Sequence, residues 1–172
     1  MIDLSHLTEL SIGTRYMGSS AAILLAKCPL LQTFTVGHFD NGLGGDEGLS
    51  IPSIHHTRLT SLNLRELNSF SARIFWKNLS LPNLSHLSVH FFMGYMLQVV
   101  LEHADAYDNL DDLKEMLIRS KCTLQSVILT TSYSPHLPSN VRSFLQEIPI
   151  SDGPDTCVIV DGHRKLLHKI TS

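Results

Sequence analysis

The chain has 172 residues, of which 43% are hydrophobic and 17% are charged, and its formal net charge is -3. A chain of this length and composition forms about one globular domain with a substantial core, which excludes a disordered or low-complexity protein. The slight negative charge provides no broad basic field of the kind that attracts nucleic acid or anionic lipid. We therefore expect a single domain over residues 1–172, with no nucleic-acid partner and no membrane partner.

The start of the chain does not predict secretion. Residues 1–3 lack a basic region, and the residues after them alternate polar and apolar side chains where a signal peptide needs a continuous apolar segment. The most apolar stretch, residues 91–101, is too short for the about 20 residues of a membrane-spanning helix, so we predict a core helix there. The expected location is intracellular, either cytoplasmic or nuclear.

One short pattern recurs along the chain: an apolar residue, two others, an apolar residue, one other and an apolar residue. Because side chains alternate along a strand, the last two apolar residues of each copy point to the same side. The copies predict strands near residues 9–13, 33–37, 61–65, 86–90 and 126–130. The first three intervals fit a repeat of about 20 to 29 residues, and the fourth contains an insertion or a lost copy within residues 90–123.

Helix signals follow the early strands. Ser19 and Ser20 are suitable N-caps for a helix over residues 21–27, which a Cys-Pro pair then ends. Between the third and fourth strands, residues 71–78 predict a short helix or turn that places Trp76 in the core.

The second half of the chain has three further helix signals. Residues 95–103 and 109–121 each predict a helix, and the second has acids in its first turn and bases near its end. Residues 138–148 predict the clearest amphipathic helix, between two prolines. Residues 157–160 predict a buried strand that caps the array, while the glycine-rich residues 40–48 predict an exposed loop.

The recurring pattern resembles the strand signature of leucine-rich repeats. More specifically, some segments look like the repeat of fungal F-box-type proteins with irregular leucine-rich repeats. These are AKCPLL at 26–31, RLTSLNL at 58–64, LPNLSHLSV at 81–89 and LIRSKCTLQSVIL at 117–129. The likeness extends from about residue 2 to residue 129. It implies an α/β fold, a right-handed solenoid with a short parallel sheet and helices on its convex side.

In that family the repeats follow an F-box, a short helical segment that docks on a cullin ubiquitin-ligase adaptor, and the repeats bind the substrate. Leu4 and Leu7 already belong to the first repeat, so we expect no such segment before it in this chain. The resemblance implies the substrate-binding repeat region of an F-box-like ubiquitin ligase component, with a cullin adaptor as partner only if an F-box exists upstream. The alternative is a structural fragment of a larger repeat array with no independent binding activity.

No arrangement of residues requires chemistry. The ten histidines are scattered, and the side chains of the adjacent pair His55 and His56 point to different sides of a strand or helix. The loop at residues 40–48 lacks the lysine and hydroxyl of a phosphate loop. Cys28 and Cys122 both precede strands, where we expect reduced, buried thiols. We therefore predict a protein that is not an enzyme, with no catalytic residue, no metal and no cofactor.

A binding surface has better support than an active site. Strand residues between the inward apolar positions face the other side of the sheet, which is the concave wall of the predicted curve. Arg65, His86 and His90 lie on neighbouring predicted strands, and with Asn63 and Glu9 they form the predicted partner-binding site. Its small polar surroundings suit an acidic or polar peptide of a protein partner. The alternative is a sheet face that meets only water.

Overall fold

The computed structural model describes residues 3–16, 18–39, 53–67, 75–91, 110–131, 139–153 and 157–160. The fold is α/β, with a parallel central sheet and a second layer of helices and short strands. In chain order the elements are β1 (Glu9–Tyr16), α1 (Gly18–Lys27), β2 (Thr33–Phe39), β3 (Ile54–His55), β4 (Ser61–Leu67), β5 (Leu79–Ser80), β6 (His86–Phe91), α2 (Leu110–Ser120), β7 (Ser126–Thr131), α3 (Ser139–Glu147) and β8 (Cys157–Val160).

The central sheet has six strands in the order β1-β2-β4-β6-β7-β8, and every neighbouring pair is parallel. Its first five strands begin at Glu9, Thr33, Ser61, His86 and Ser126, the first residues of the predicted ranges. The register places equivalent pattern residues side by side. One apolar row contains Leu10, Phe34, Leu62, Leu87 and Val127, and the next contains Ile12, Val36, Leu64, Val89 and Leu129.

One face of the central sheet forms the core. From β2 to β7 the residues of both apolar rows are at most 1% exposed, whereas Leu10 and Ile12 on the edge strand β1 are half-buried. The second layer lies over this face, with α1 packed against β3, and α2 packed against β5 and α3. The opposite face of the sheet is left half-buried or exposed from β1 to β7.

The first helix, α1, begins earlier than its sequence predicts. It starts at Gly18, so the prediction that Ser19 and Ser20 are its N-caps is wrong, because both residues lie in its first turn. It ends at Lys27, as predicted, and the backbone then turns through a hydrogen bond from the Leu31 N–H to the Cys28 carbonyl at 3.0 Å.

The helices α2 and α3 confirm their predicted periodicities. In α2 the buried side chains are Leu110, Leu113, Met116, Leu117 and Ser120. The helix ends where Lys121 adopts a left-handed backbone conformation with φ of 53°. In α3 and the residue after it, the side chains at helical spacing are buried: Val141, Phe144, Leu145 and Ile148.

Other local predictions have mixed outcomes. Residues 75–77 form a helical turn and Trp76 is fully buried, as predicted. Phe91 ends β6, so the core helix predicted from that residue does not begin there, and the rest of that segment lies outside the described residues. The loop at 40–48 and the helix at 95–103 also lie outside them. The predicted strand at 157–160 is β8, which pairs with β7 at one edge of the central sheet.

The second sheet was not predicted. It consists of β3 and β5, where Ile54 pairs with Leu79 and His55 pairs with Ser80 in parallel. Ile54 and Leu79 are buried, so these short strands complete the layer that covers the core between α1 and α2. Arg119 of α2 links this helix to residues 76–79, because its guanidinium donates to the Trp76 carbonyl at 2.7 Å and to the Leu79 carbonyl at 2.9 Å.

Candidate functional site

The candidate site is the sheet face opposite the core, which we call the open face. Its residues alternate along β1, β2, β4, β6 and β7 with the buried apolar residues, and all are half-buried or exposed. They are Glu9, Ser11, Gly13, Thr33, Thr35, Gly37, Ser61, Asn63, Arg65, His86, Ser88, His90, Ser126, Ile128 and Thr130. Most are small and polar, and among them only Glu9 and Arg65 have formally charged side chains.

The strand register divides the open face into three rows that cross the strands. The first row contains Glu9, Thr33, Ser61, His86 and Ser126, and the middle row contains Ser11, Thr35, Asn63, Ser88 and Ile128. The third row consists of the residues that follow the paired Ile12, Val36, Leu64, Val89 and Leu129, namely Gly13, Gly37, Arg65, His90 and Thr130. His90 pairs with Thr130, and the register shifts after Ile12 on β1 and after Leu64 on β4.

The structure brings only some of the predicted site residues together. Asn63 pairs with Ser88 in the middle row, and Arg65 and His90 directly follow the paired residues Leu64 and Val89, where the register between β4 and β6 shifts. His86 is on the same face, but four residues along a strand place it about 13 Å from His90. Glu9 is in the row of His86, three strand spacings or about 14 Å away, so it does not join the group.

Hydrogen bonds fix the two histidine rings of the open face. The Nδ1 atom of His90 lies 2.7 Å from the Thr130 hydroxyl on the next strand. The Ser85 hydroxyl donates to the Thr60 carbonyl at 3.2 Å and lies 2.8 Å from Nδ1 of His86. The rings are thus held in fixed orientations at the two ends of β6.

Arg65 differs from these histidines. Its side chain is exposed, and no described side chain forms an ion pair or a hydrogen bond with its guanidinium. The third-row residues on the two neighbouring strands, Gly37 and His90, have no carboxylate. A guanidinium presents several N–H donors in a planar fork that matches a carboxylate or phosphate. Arg65 is therefore an available anion-binding group on the open face.

Two glycines extend the third row beyond Arg65, and their shared role was missed in the sequence. A Cβ atom at Gly37 would lie 3.1 Å from the Ile12 carbonyl oxygen and 3.2 Å from Cα of Gly13, which is tighter than ordinary contacts. A Cβ atom at Gly13 would meet nothing within 4 Å. The sequence signal was glycine at the same strand position of two consecutive copies. The result is a bare backbone surface beside Arg65.

The described residues offer little for other chemistry. No group of three histidine, cysteine, aspartate or glutamate side chains is placed to hold a metal ion among them. Within the same described ranges, no helix is long and apolar enough to cross a membrane. His55 is exposed and His56 is buried, so this adjacent pair points to different environments, as predicted.

Cys28 and Cys122 are free, buried thiols, as predicted for both. Burial raises the pKa of each thiol above its ordinary value of about 9. The folded chain therefore keeps these protons at a pH where the unfolded chain loses them, so stability falls as the pH rises above about 9.

We expect the urea midpoint of the wild type to fall between about pH 8 and about pH 10 more than that of a Cys28→Ala/Cys122→Ala variant. Lysine and tyrosine titrations affect both proteins, so only the difference between the two slopes reports the thiols. Equal slopes in equilibrium unfolding would contradict the assignment.

Comparison with protein-family models, with characterised proteins and with solved structures gives no match for this chain. Its function must therefore be inferred from its own residues. Among the described side chains, the site they define is a polar sheet face with one available guanidinium and a bare backbone strip next to it.

Proposed function

We propose that this chain is a protein-recognition module that binds its partner through the open face. The observation that supports this most is the separation of the two faces of the central sheet. The apolar residues of the two rows on β2, β4, β6 and β7 point into the core, while mostly small polar residues, with Ile128 and a few larger donors, cover the other side. Such a polar surface, with hydrogen-bonding groups at regular spacing, suits an extended or irregular protein surface better than a small buried ligand.

The proposal extends to the architecture and the biological role. Each long strand pairs in parallel with the next long strand of the chain, and the apolar rows continue across these strands. Both features favour a right-handed solenoid of the leucine-rich-repeat type. The sequence resemblance favours the substrate-binding repeat region of an F-box-like ubiquitin ligase component. On this proposal the open face is concave and receives the substrate, and a cullin adaptor binds only through an upstream F-box.

A second candidate is a structural unit of a larger repeat array. It is favoured by β1, where Leu10 and Ile12 are half-exposed although every equivalent residue from β2 to β7 is at most 1% exposed. A further strand beside β1 would bury both side chains by the same parallel pairing that buries their neighbours. This structural role requires no binding at the open face, so a test of binding at that face distinguishes it from the protein-recognition role.

The first proposal is tested by affinity capture from cell lysate with an Arg65→Ala/His86→Ala/His90→Ala variant. We expect this variant to lose partners that the wild type captures, because it removes the large donors of the open face. The matched control is Lys27→Ala/Glu115→Ala/Gln146→Ala, which changes exposed residues of the helical layer. The control should retain the same partners, and both variants should melt as single folded species.

Quantitative mass spectrometry of the captured proteins gives the comparison. Partners that are lost from the open-face variant and kept by the control support recognition at this face. Identical partner sets for all three proteins would contradict it and favour the structural role.

A further inference from the structure

We infer that the guanidinium of Arg65 binds a carboxylate of an extended acidic peptide segment, and that the backbone strip at Gly37 and Gly13 receives the adjoining residues of that peptide. This inference rests on the proposed function and names the chemistry of its partner. The inference depends on three observations. No described side chain neutralises the charge of Arg65, the glycine strip at Gly37 and Gly13 lies on one side of it, and the hydrogen-bonded His90 lies on the strand on the other side.

The charge of Arg65 is not neutralised within the described part of the chain. Among the open-face residues whose side chains the structure describes, Glu9 is the other one with a formal charge, and it is two strands and four residues away, or about 16 Å. Two unit charges at that distance in water interact by only a few tenths of a kcal/mol. An incoming carboxylate would instead contact the guanidinium directly, where two parallel N–H···O bonds form. The open face is therefore complementary to a negative group at this one position.

The strip explains why the ligand is a peptide and not an isolated ion. Gly37 lies on the strand next to Arg65, and Gly13 lies on the strand after that, about 10 Å from Arg65. Neither residue has a side chain above the backbone, and at Gly37 the neighbouring β1 backbone leaves no ordinary space for one. An extended peptide covers this distance in about three residues. Its backbone can approach the strip closely while its acidic side chain reaches Arg65.

On β6, the strand on the other side of β4 from Gly37, His90 forms an ordered pair with Thr130. Nδ1 of His90 lies 2.7 Å from the Thr130 hydroxyl, so the ring is held across β6 and β7. The peptide is thereby directed from Arg65 toward Gly37 and Gly13, not along β6. This direction distinguishes the inference from a general attraction between a positive surface and an acidic protein, since the position of a blocking side chain then matters.

The test uses a display library of random peptides of about nine residues, sorted on the full-length chain, with affinities of recovered peptides measured by fluorescence anisotropy. We expect the wild type to enrich peptides that contain aspartate or glutamate. Arg65→Gln should weaken their binding about tenfold or more, because a hydrogen bond to a charged group is lost. Arg65→Glu should reverse the preference toward lysine and arginine.

Two substitutions to leucine test the strip. Gly13→Leu places a side chain into open space on the strip, so we expect the fold to be kept and the acidic peptides to bind about tenfold or more weakly. Ser126→Leu makes the matched change in the first row on β7 and should leave their binding unchanged. Thermal melts of both variants establish that each is folded.

The outcomes separate the inference from the proposed function. Peptides that bind the wild type without acidic enrichment, or that bind Arg65→Gln equally well, would overturn the role of Arg65 and leave recognition by the open face standing. If Gly13→Leu and Ser126→Leu weaken peptide binding equally, the inference that the peptide runs from Arg65 along the glycine strip would be overturned. A wild type that recovers no peptide at all would overturn the inference, whereas the affinity capture from lysate decides the proposed function separately.

Discussion

Leu62→Ala in β4 and Leu87→Ala in β6 are each expected to lower the free energy of unfolding by about 2 to 5 kcal/mol. Leu62 is 0% exposed and Leu87 is 1% exposed. Both belong to the apolar row that crosses the central sheet, with a paired strand on each side. Because those strands hold the backbone in place, the structure cannot collapse into the space that the leucine leaves, and the cavity cost adds to the lost burial.

The control for this prediction is Leu10→Ala in β1. Leu10 is in the same row, but it lies on the edge strand and is already half-exposed, so we expect a loss of about 1 kcal/mol. Urea denaturation followed by circular dichroism measures all three variants. Losses under about 1 kcal/mol at both Leu62 and Leu87 would show that the apolar rows do not stabilise the sheet.

The same rows explain why the strands were predictable from the sequence. Each strand alternates buried and open residues, and the pattern recurs, so a misplaced register would move every apolar side chain to the wrong face. The spacing of Leu62 and Leu64, for example, shows which side chains of β4 face the core, and this does not require the positions of the neighbouring strands. The helices α2 and α3 were predictable for an analogous reason, because their buried residues recur at the helical period over several turns.

Short elements gave no comparable signal. The strands β3 and β5 have two residues each, and no periodicity can be detected over that length. They form because Ile54 and Leu79 are buried side by side, which is a contact between residues distant in sequence. The predicted start of α1 was wrong for a different reason, because a serine is found both at the N-cap and within the first turn of a helix.

The open face was predictable as a surface but not as a site. Alternation along β4 and β6 placed Asn63, Arg65, His86 and His90 on one face, and the structure agrees. Their distances depend on strand order and on the irregular register after Leu64, which the sequence does not encode locally. Glu9 was grouped with residues about 14 Å or more away for this reason.

His56→Ala is expected to lower the free energy of unfolding by about 2 to 4 kcal/mol. His56 is 5% exposed, and both of its ring nitrogens contact buried backbone groups. The Leu59 N–H donates to Nδ1 at 3.1 Å, so Nδ1 is an acceptor and the ring hydrogen is on Nε2. Nε2 then donates to the Cys28 carbonyl at 2.9 Å. Alanine would leave the Leu59 N–H buried without this acceptor, and the Cys28 carbonyl would keep only its hydrogen bond from the Leu31 N–H at 3.0 Å, in addition to a cavity.

The adjacent histidine is the matched control. His55 is exposed, and its Nδ1 atom contacts the Ser80 hydroxyl at 3.1 Å, so His55→Ala should cost less than about 1 kcal/mol. His56→Gln should lie between the two alanine variants, because its amide can still donate toward the Cys28 carbonyl. Urea denaturation ranks the three proteins.

We expect the two histidine variants to differ strongly in stability because of where the Cys28 carbonyl and the Leu59 N–H lie. Cys28 lies in the turn that leads into β2, and Leu59 lies just before β4, so His56 joins the approaches to two adjacent strands of the central sheet. Both residues are fully buried, and water cannot replace the lost imidazole without entering the core. A His56→Ala variant as stable as His55→Ala would mean that these backbone groups find other partners, and that the turns are held by apolar contacts alone.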